Sequence, residues 1–165
     1  MYYINSFFIY SLLGFIMESD IYKITNSKRH SSIFYGPITC VYGVGVIALI
    51  LIDKYFFNNF KGNKFIKFIL SYILCIVVLT IIEFIGGNIL HLLFNIDMWN
   101  YTSKWCNFGK YICLDLSLIW GAFGVFYLYI LKDFIDKFIK LIPNYLTIIS
   151  CILFLIDTIL VFINK

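Results

Sequence analysis

Residues 81–129 read IIEFIGGNILHLLFNIDMWNYTSKWCNFGKYICLDLSLIWGAFGVFYLY, and this stretch decides the fold. Two apolar runs lie on either side of an aromatic turn at Trp99, and each contains one carboxylate, Glu83 in the first and Asp115 in the second. An unpaired acid deep in an apolar helix costs roughly 2.5 to 3.5 kcal/mol on insertion scales. The stretch therefore predicts two membrane-spanning helices whose acids need a partner, a water-filled cavity or a function.

The composition extends this prediction to the whole chain. Hydrophobic residues occupy 62% of the 165 positions and charged residues only 13%, whereas about 25% of a typical soluble domain is charged. A span needs about 20 mostly apolar residues, and five runs qualify. These runs cover residues 3–22, 37–57, 65–94, 111–131 and 143–163. The sequence therefore predicts an all-α bundle of about five transmembrane helices in a single membrane domain, residues 1–165.

The charges between the apolar runs indicate the orientation. Seven lysines follow the second and fourth runs, on the side of the N-terminus, against six Lys and Arg residues on the other side, including Lys28 and Arg29. Cytoplasmic loops carry the excess of positive charge, so this narrow margin favours a cytoplasmic N-terminus. Charges in these positions contact lipid headgroups, and nucleic acid is not expected as a partner. The Ile, Asn and Lys bias is typical of an AT-rich bacterial genome, which predicts a multi-pass protein of a bacterial cell membrane.

Residues 132–142 form a separate segment between the fourth and fifth runs. Apolar residues such as Phe134 and Phe138 recur at helical spacing, opposite charged residues such as Asp133 and Asp136. This pattern predicts an amphipathic helix that lies on the membrane interface. Such a helix either links two spans or docks a cytoplasmic partner.

Several kinds of catalytic and cofactor site have no signature in the sequence. The five cysteines include no C-x-x-C pair, so neither a disulfide framework nor a zinc site is predicted. The chain has no G-x-x-x-x-G-K-[ST] phosphate loop, no H-E-x-x-H, no G-x-S-x-G and no dinucleotide fingerprint. We therefore predict no catalytic residue, no metal ligand, no cofactor and no ATP hydrolysis by this chain itself, while other enzymatic activity stays open.

Ionisable residues inside the predicted spans are the candidates for function. Without an embedded Lys or Arg, such acids indicate a cation or proton route, or neutral acids hydrogen-bonded between helices. We single out Glu83 because it shares one helix face with Gly87 and His91 at steps of four residues. Glu18 and His91 also fit the simpler role of interfacial polar residues. The candidates are Glu18, Glu83, Asp115, Asp157 and His91.

Glycines and aromatic residues mark the expected breaks, packing faces and interfaces of the helices. Three glycines and a proline in residues 35–45 indicate a broken or late-starting helix, or a plain loop-to-helix junction. Elsewhere, small residues let a neighbouring helix approach closely. The break and packing candidates are Gly14, Gly36, Pro37, Tyr42, Gly43, Gly45, Gly86, Gly87 and Gly121. The interfacial candidates are Trp99, Tyr101, Trp105 and Trp120.

An ordered set of these motifs resembles a known family. The set comprises Gly14 and Glu18, Gly36-Pro37, Tyr42-Gly43, Glu83 to Phe94, Trp99, Tyr101, Ile112-Cys113-Leu114 and Trp120-Gly121. Over residues 8–129 the chain resembles the putative ABC-transporter type IV family, bacterial membrane proteins also called putative ABC transporter permeases. Where the family tends to show Trp-Asp-Tyr and Gly-Arg, this chain has Trp99-Asn100-Tyr101 and Lys110-Tyr111. The resemblance implies a permease-like membrane protein.

Three functions are open at this point. The resemblance implies a permease-like subunit that takes its energy from an ATPase on a separate chain. A small membrane enzyme acting on lipid or prenyl substrates would need Glu18, Glu83 and Asp115 to converge within about 4 to 6 Å. A structural or regulatory partner would use its acids only to pair helices. Because five spans form a small pathway, we also expect a homo-oligomer or a hetero-complex.

Overall fold

The structure, a computed structural model, describes residues 1–25 and 31–164. Lys28 and Arg29, which were counted in predicting the orientation, therefore lie outside the described residues. Within these ranges the helical elements are α1 (Tyr2–Ile24), α2 (Cys40–Ile52), α3 (Lys64–Phe94), α4 (Leu114–Phe126), α5 (Lys132–Leu141) and α6 (Asn144–Asn164). π-Helical turns at Asp53–Phe57 and Tyr127–Leu131 continue α2 and α4. The second turn joins α4 to α5 without an intervening loop, so the described residues form five continuous helices.

Four helices in the described ranges are long and apolar enough to cross a membrane. They are Cys40–Phe57, Lys64–Phe94, Leu114–Leu141 and Asn144–Asn164. The remaining helix, α1, has 23 residues but buries several polar ones, among them Asn5, Ser6 and Ser11. The only strands in the described part of the chain are β1 (Asn107–Phe108) and β2 (Ile112–Cys113). The predicted all-α multi-pass membrane fold is confirmed.

Small or polar residues occupy most of the buried helical positions, and large apolar residues occupy the exposed ones. The buried residues of α3 are Ser71, Cys75, Glu83 and Gly87, which fall on one face of the helix. By contrast, α6 exposes large apolar side chains along its length, among them Ile152, Leu155 and Ile159. Lipid is as apolar as these side chains, so helices in a membrane associate through small residues and hydrogen bonds instead. The burial pattern is therefore the one expected with lipid as the solvent.

The chain divides into two compact units, and the first consists of Met1–Val44 and Lys137–Lys165. In this first unit, Thr147 Oγ1 on α6 donates a buried hydrogen bond of 2.6 Å to Asn5 Oδ1 on α1. Gly43 lies so close to Ser11 that α1 and the start of α2 leave no room for a Cβ atom. Residues 31–39 are irregular, and α2 begins at Cys40 instead of residue 37, where the predicted run begins. For this stretch the sequence predicted either a broken or late-starting helix or a plain loop-to-helix junction. In the structure the helix starts late.

The second unit consists of Gly45–Asp136 and is built on the antiparallel pair α3 and α4. Small residues bring the two helices together, since a Cβ atom on Gly124 would lie 2.7 Å from Cys75 Cβ. Ser71 Oγ and Tyr129 Oη form a hydrogen bond of 3.1 Å near one end of the pair. Close packing of this kind is what glycines at a helix interface permit.

The ends of the second unit are also defined by specific contacts. Near the start of α5, Lys132 forms an ion pair with Asp53 of the π-helical turn after α2. At the other end, α4 begins at Leu114 instead of residue 111, because β2 pairs antiparallel with β1. The sequence did not predict this hairpin, since two residues per strand are too few to show an alternating pattern.

Candidate functional site

Residues 95–113 connect α3 to α4 and form an ordered loop that we call the cap. α3 ends where Asn95 adopts a left-handed conformation, with φ of 54°. Tyr101 donates its amide to the carbonyl of Lys110 over 2.7 Å, which closes the loop on itself. The hairpin turn uses Gly109 at a φ of 65°, a conformation that glycine adopts without strain. The predicted aromatic interfacial turn is therefore a structured element held by its own backbone.

Glu83 lies on α3 close to the cap. The residue is only 6% exposed, and Tyr101 Oη donates a hydrogen bond of 2.9 Å to Glu83 Oε1. A buried polar group is costly without a hydrogen-bond partner, so this bond lowers the cost of keeping the acid in the membrane. The structure brings together the principal acid candidate and one of the interfacial aromatic candidates.

A second polar cluster surrounds Asp97 of the cap. Tyr111 Oη donates to Asp97 Oδ1 over 2.5 Å, and Lys110 Nζ lies 3.2 Å from Asp97 Oδ2. His91 Nδ1, near the end of α3, lies 2.9 Å from Asp97 Oδ1. Asp97 therefore ties the end of α3 to the residues that immediately precede β2.

The ring of Tyr111 connects this cluster to the interior of α3. A Cβ atom on Gly87 would lie 2.5 Å from Cγ of the ring, well inside van der Waals contact. The ring also packs against Trp99 in a T-shaped arrangement, with centroids 6.3 Å apart. Gly87 lies one helical turn from Glu83, so the two clusters occupy neighbouring turns of α3. Together they form the cap site, which consists of Glu83, His91, Asp97, Tyr101, Lys110 and Tyr111.

Hydrogen bonding and burial shift the pKa values of two groups in the cap. The hydrogen bond from Tyr111 holds the pKa of Asp97 below its usual value, and the nearby Lys110 and His91 act in the same direction. Burial, followed by the hydrogen bond to Asp97, raises the pKa of Tyr111 from 10.0 to about 12. The folded cap therefore favours a carboxylate at Asp97 and a protonated phenol at Tyr111.

Raising the pH from 10.0 towards about 12 is expected to destabilise the wild-type protein more than a Tyr111→Phe variant. In the unfolded chain Tyr111 loses its proton near pH 10.0, whereas the folded chain holds the proton up to about pH 12. The stabilisation is therefore complete below the lower value and is lost as the pH rises through the window. Unfolding free energies of both proteins, measured in micelles across this range, test the prediction. Parallel pH dependence of the two proteins would contradict it.

Two other acid candidates have partners within the first unit. Asp157 on α6 accepts hydrogen bonds from the amides of Tyr35 (2.9 Å) and Gly36 (2.8 Å), and so holds the irregular residues 31–39. Glu18 Oε1 accepts a hydrogen bond of 2.6 Å from Tyr22 Oη, one turn further along α1. Asp157 therefore has a structural partner in the backbone, and Glu18 has one on its own helix.

The helix-packing candidates lie mostly at close contacts. Gly14 lies against Tyr42, Gly45 lies against Leu79, and Gly121 lies against Ile76. Gly86 is half-buried in α3, which continues through it without a break, and Pro37 is exposed before α2.

The remaining candidates are not among the residues of the cap site. Asp115 is exposed in the first turn of α4. Trp105 is 73% exposed on the cap, and Trp120 lies beside Phe123, with ring centroids 6.1 Å apart. Among the described residues, no three His, Cys, Asp or Glu side chains lie close enough to hold a metal ion.

Sequence reasoning missed three residues of the cap site, namely Asp97, Lys110 and Tyr111. Hydropathy gave no signal for Asp97, because an acid in an interfacial turn can be solvated and needs no protein partner. No signal existed for the contact of Tyr111 with Gly87, since a glycine in a span predicts close approach but not what approaches.

Comparison with known proteins identifies the family. A family model described as putative ABC-transporter type IV matches residues 5–163. No curated protein and no solved structure matches the chain. The match covers nearly the whole chain, including the cap, and confirms the resemblance noted in the sequence. This transporter-related, multi-pass membrane protein therefore belongs to the putative ABC-transporter type IV family.

Proposed function

We propose that the protein is the membrane-spanning, permease-like subunit of an ABC-type transporter in a bacterial cell membrane. The observation that carries the proposal is the family match over residues 5–163. Transport of this type is driven by ATP hydrolysis, and the chain contains no phosphate loop. We therefore place the ATPase on a separate chain that binds this one. Because the chain has few spans, we also propose that more than one copy takes part.

Within this proposal, Glu83 is the functional acid of the membrane pathway. It is a buried carboxylate inside a span, a position at which acids are rare and mark ion or substrate routes. The hydrogen bond from Tyr101 ties this acid to the cap, so a movement of the cap changes the environment of Glu83. The cap is therefore suited to couple an event at the membrane surface to the pathway.

Helix α5 is the proposed docking surface for the ATPase. The two crossings α3 and α4 separate it from the loop at residues 58–63, so both lie on one side of the membrane. The first residue of α5, Lys132, is held by its ion pair with Asp53. Further along the helix, Lys137 and Lys140 are exposed. The half of this anchored helix that follows Asp133 and Asp136 therefore presents positive charge to an acidic patch on a cytoplasmic partner.

Charge reversal on α5 tests this docking surface. A variant carrying Lys137→Glu and Lys140→Glu is expected to recover roughly tenfold less ATPase on affinity purification in mild detergent, because like-charge contacts cost several kcal/mol. The matched control carries Lys61→Glu and Lys64→Glu, two exposed lysines of the loop and helix start on the same side of the membrane. We expect the control to retain its ATPase.

An equal loss of ATPase from both variants would show that its recovery depends on the net charge of the chain and not on α5. Retention in both would place the dock elsewhere on the chain. Mass spectrometry of the bound fraction identifies the partner, and gel filtration of each variant establishes that it is folded.

A further inference from the structure

Two buried hydroxyl groups in the second unit have no hydrogen-bond partner. They are Ser117 Oγ on α4, in a residue that is 4% exposed, and Thr80 Oγ1 on α3. Several other hydroxyls in the helices do have a partner, as Ser71 does in the carbonyl of Lys67, although Ser11 on α1 is a further buried hydroxyl without one. Buried polar groups almost always have a partner, so these two hydroxyls require an explanation.

The packing of α3 against α4 places the two hydroxyls at the same level. Gly121 on α4 lies against Ile76 on α3, and nearer the cap Tyr111 lies against Gly87. The helices are antiparallel, so one turn back from Gly121 along α4 corresponds to one turn forward from Ile76 along α3. Ser117 therefore falls opposite the turn that begins at Thr80.

Glu83 belongs to this same level. It lies three residues after Thr80, and residues at this spacing share a helix face. The carboxylate is buried, and the bond from Tyr101 to Oε1 fixes its orientation. The helical register therefore places one carboxylate and two hydroxyls, all oxygen donors, at the same level of the α3 and α4 pair.

We propose that Thr80, Glu83 and Ser117 form a binding site for a monovalent cation of the sodium type. Hard cations prefer oxygen ligands, which are what these three side chains offer. A single carboxylate neutralises a single positive charge, so an occupied site carries no net charge into the membrane. A divalent cation would leave an uncompensated charge in a place where charge is expensive. The inference does not depend on the ATPase partner of the proposed function.

Binding of radiolabelled sodium to the purified chain in nanodiscs tests the site, with N-methylglucamine replacing sodium in the reference buffer. We expect saturable binding to the wild type. Ser117→Ala and Thr80→Val are each expected to weaken it by roughly tenfold or more, since even outer groups of metal sites contribute that much. Glu83→Gln is expected to abolish it.

The matched control is Ser71→Ala, which removes a buried hydroxyl from α3 that already bonds to Lys67 and Tyr129. We expect this variant to bind sodium as the wild type does. Folding of every variant is established by helical circular dichroism and a monodisperse elution profile.

Two results would overturn the proposal. One is a folded wild-type protein that binds no more sodium than the reference. The other is a Ser117→Ala variant that binds like the control and whose melting temperature shifts equally in sodium and N-methylglucamine, as expected of a hydroxyl bonded to water only.

Discussion

Gly87→Ala is expected to lower the free energy of unfolding by about 2 kcal/mol. Its Cβ atom would lie 2.5 Å from Cγ of the Tyr111 ring. The ring cannot turn away cheaply, because its hydroxyl is bonded to Asp97 and the ring packs against Trp99. Overpacking costs about 1 to 3 kcal/mol, and at so close a contact it outweighs the roughly 1 kcal/mol by which alanine favours a helix. Denaturation in mixed micelles measures the change.

A double-mutant cycle separates this contact from any general effect on α3. In a Tyr111→Ala background the added methyl group no longer meets a ring. There, Gly87→Ala is expected to be neutral or to stabilise the protein by up to about 1 kcal/mol, through helix propensity alone. If Gly87→Ala destabilises both backgrounds equally, the packing of the cap against α3 is not the reason for the glycine.

Asp157→Ala is expected to cost about 3 kcal/mol of unfolding free energy. The substitution removes the acceptor for the amides of Tyr35 and Gly36, and hydrogen bonds to charged groups contribute about 1.5 to 3 kcal/mol each. Asp157→Asn keeps one acceptor oxygen, so it is expected to cost about half as much. The same denaturation assay gives both values.

Asp133→Ala is the control for this series, because Asp133 is an exposed acid on α5. We expect that variant to lie within about 0.5 kcal/mol of the wild type. Should Asp157→Ala behave like this control, the hydrogen bonds to residues 31–39 do not hold the first unit together.

The helices were predictable because, in a membrane protein, a long apolar run directly marks a segment that lies in lipid. The third run, residues 65–94, matches α3 (Lys64–Phe94) almost residue for residue. The starts of α2 and α4 were less predictable, because local hydrogen bonds decide them. The amides of residues 35 and 36 are held by Asp157, which is more than a hundred residues away in the chain. Hydropathy carries no information about such a pairing.

For the acids, the sequence predicts which residues need a partner but not which groups the partners are. Their cost in lipid made Glu83 and Asp157 candidates, and both do have hydrogen-bond partners. The partners differ in kind: a side-chain hydroxyl for Glu83, and backbone amides for Asp157. The spacing of Glu83 from Gly87 and His91 set it apart in the sequence, but only the fold determines which groups surround each acid. Asp157 therefore has a structural explanation, while Glu83 is the acid to which we assign a function.

The most direct test of the proposed transporter role is ATP hydrolysis by the complex purified from its own membranes through a tag on this chain. We predict that a second protein with a phosphate loop elutes with it at a fixed ratio. We also predict that ATPase activity follows both proteins through gel filtration. A folded, monodisperse preparation that contains this chain alone and hydrolyses no ATP would contradict the account.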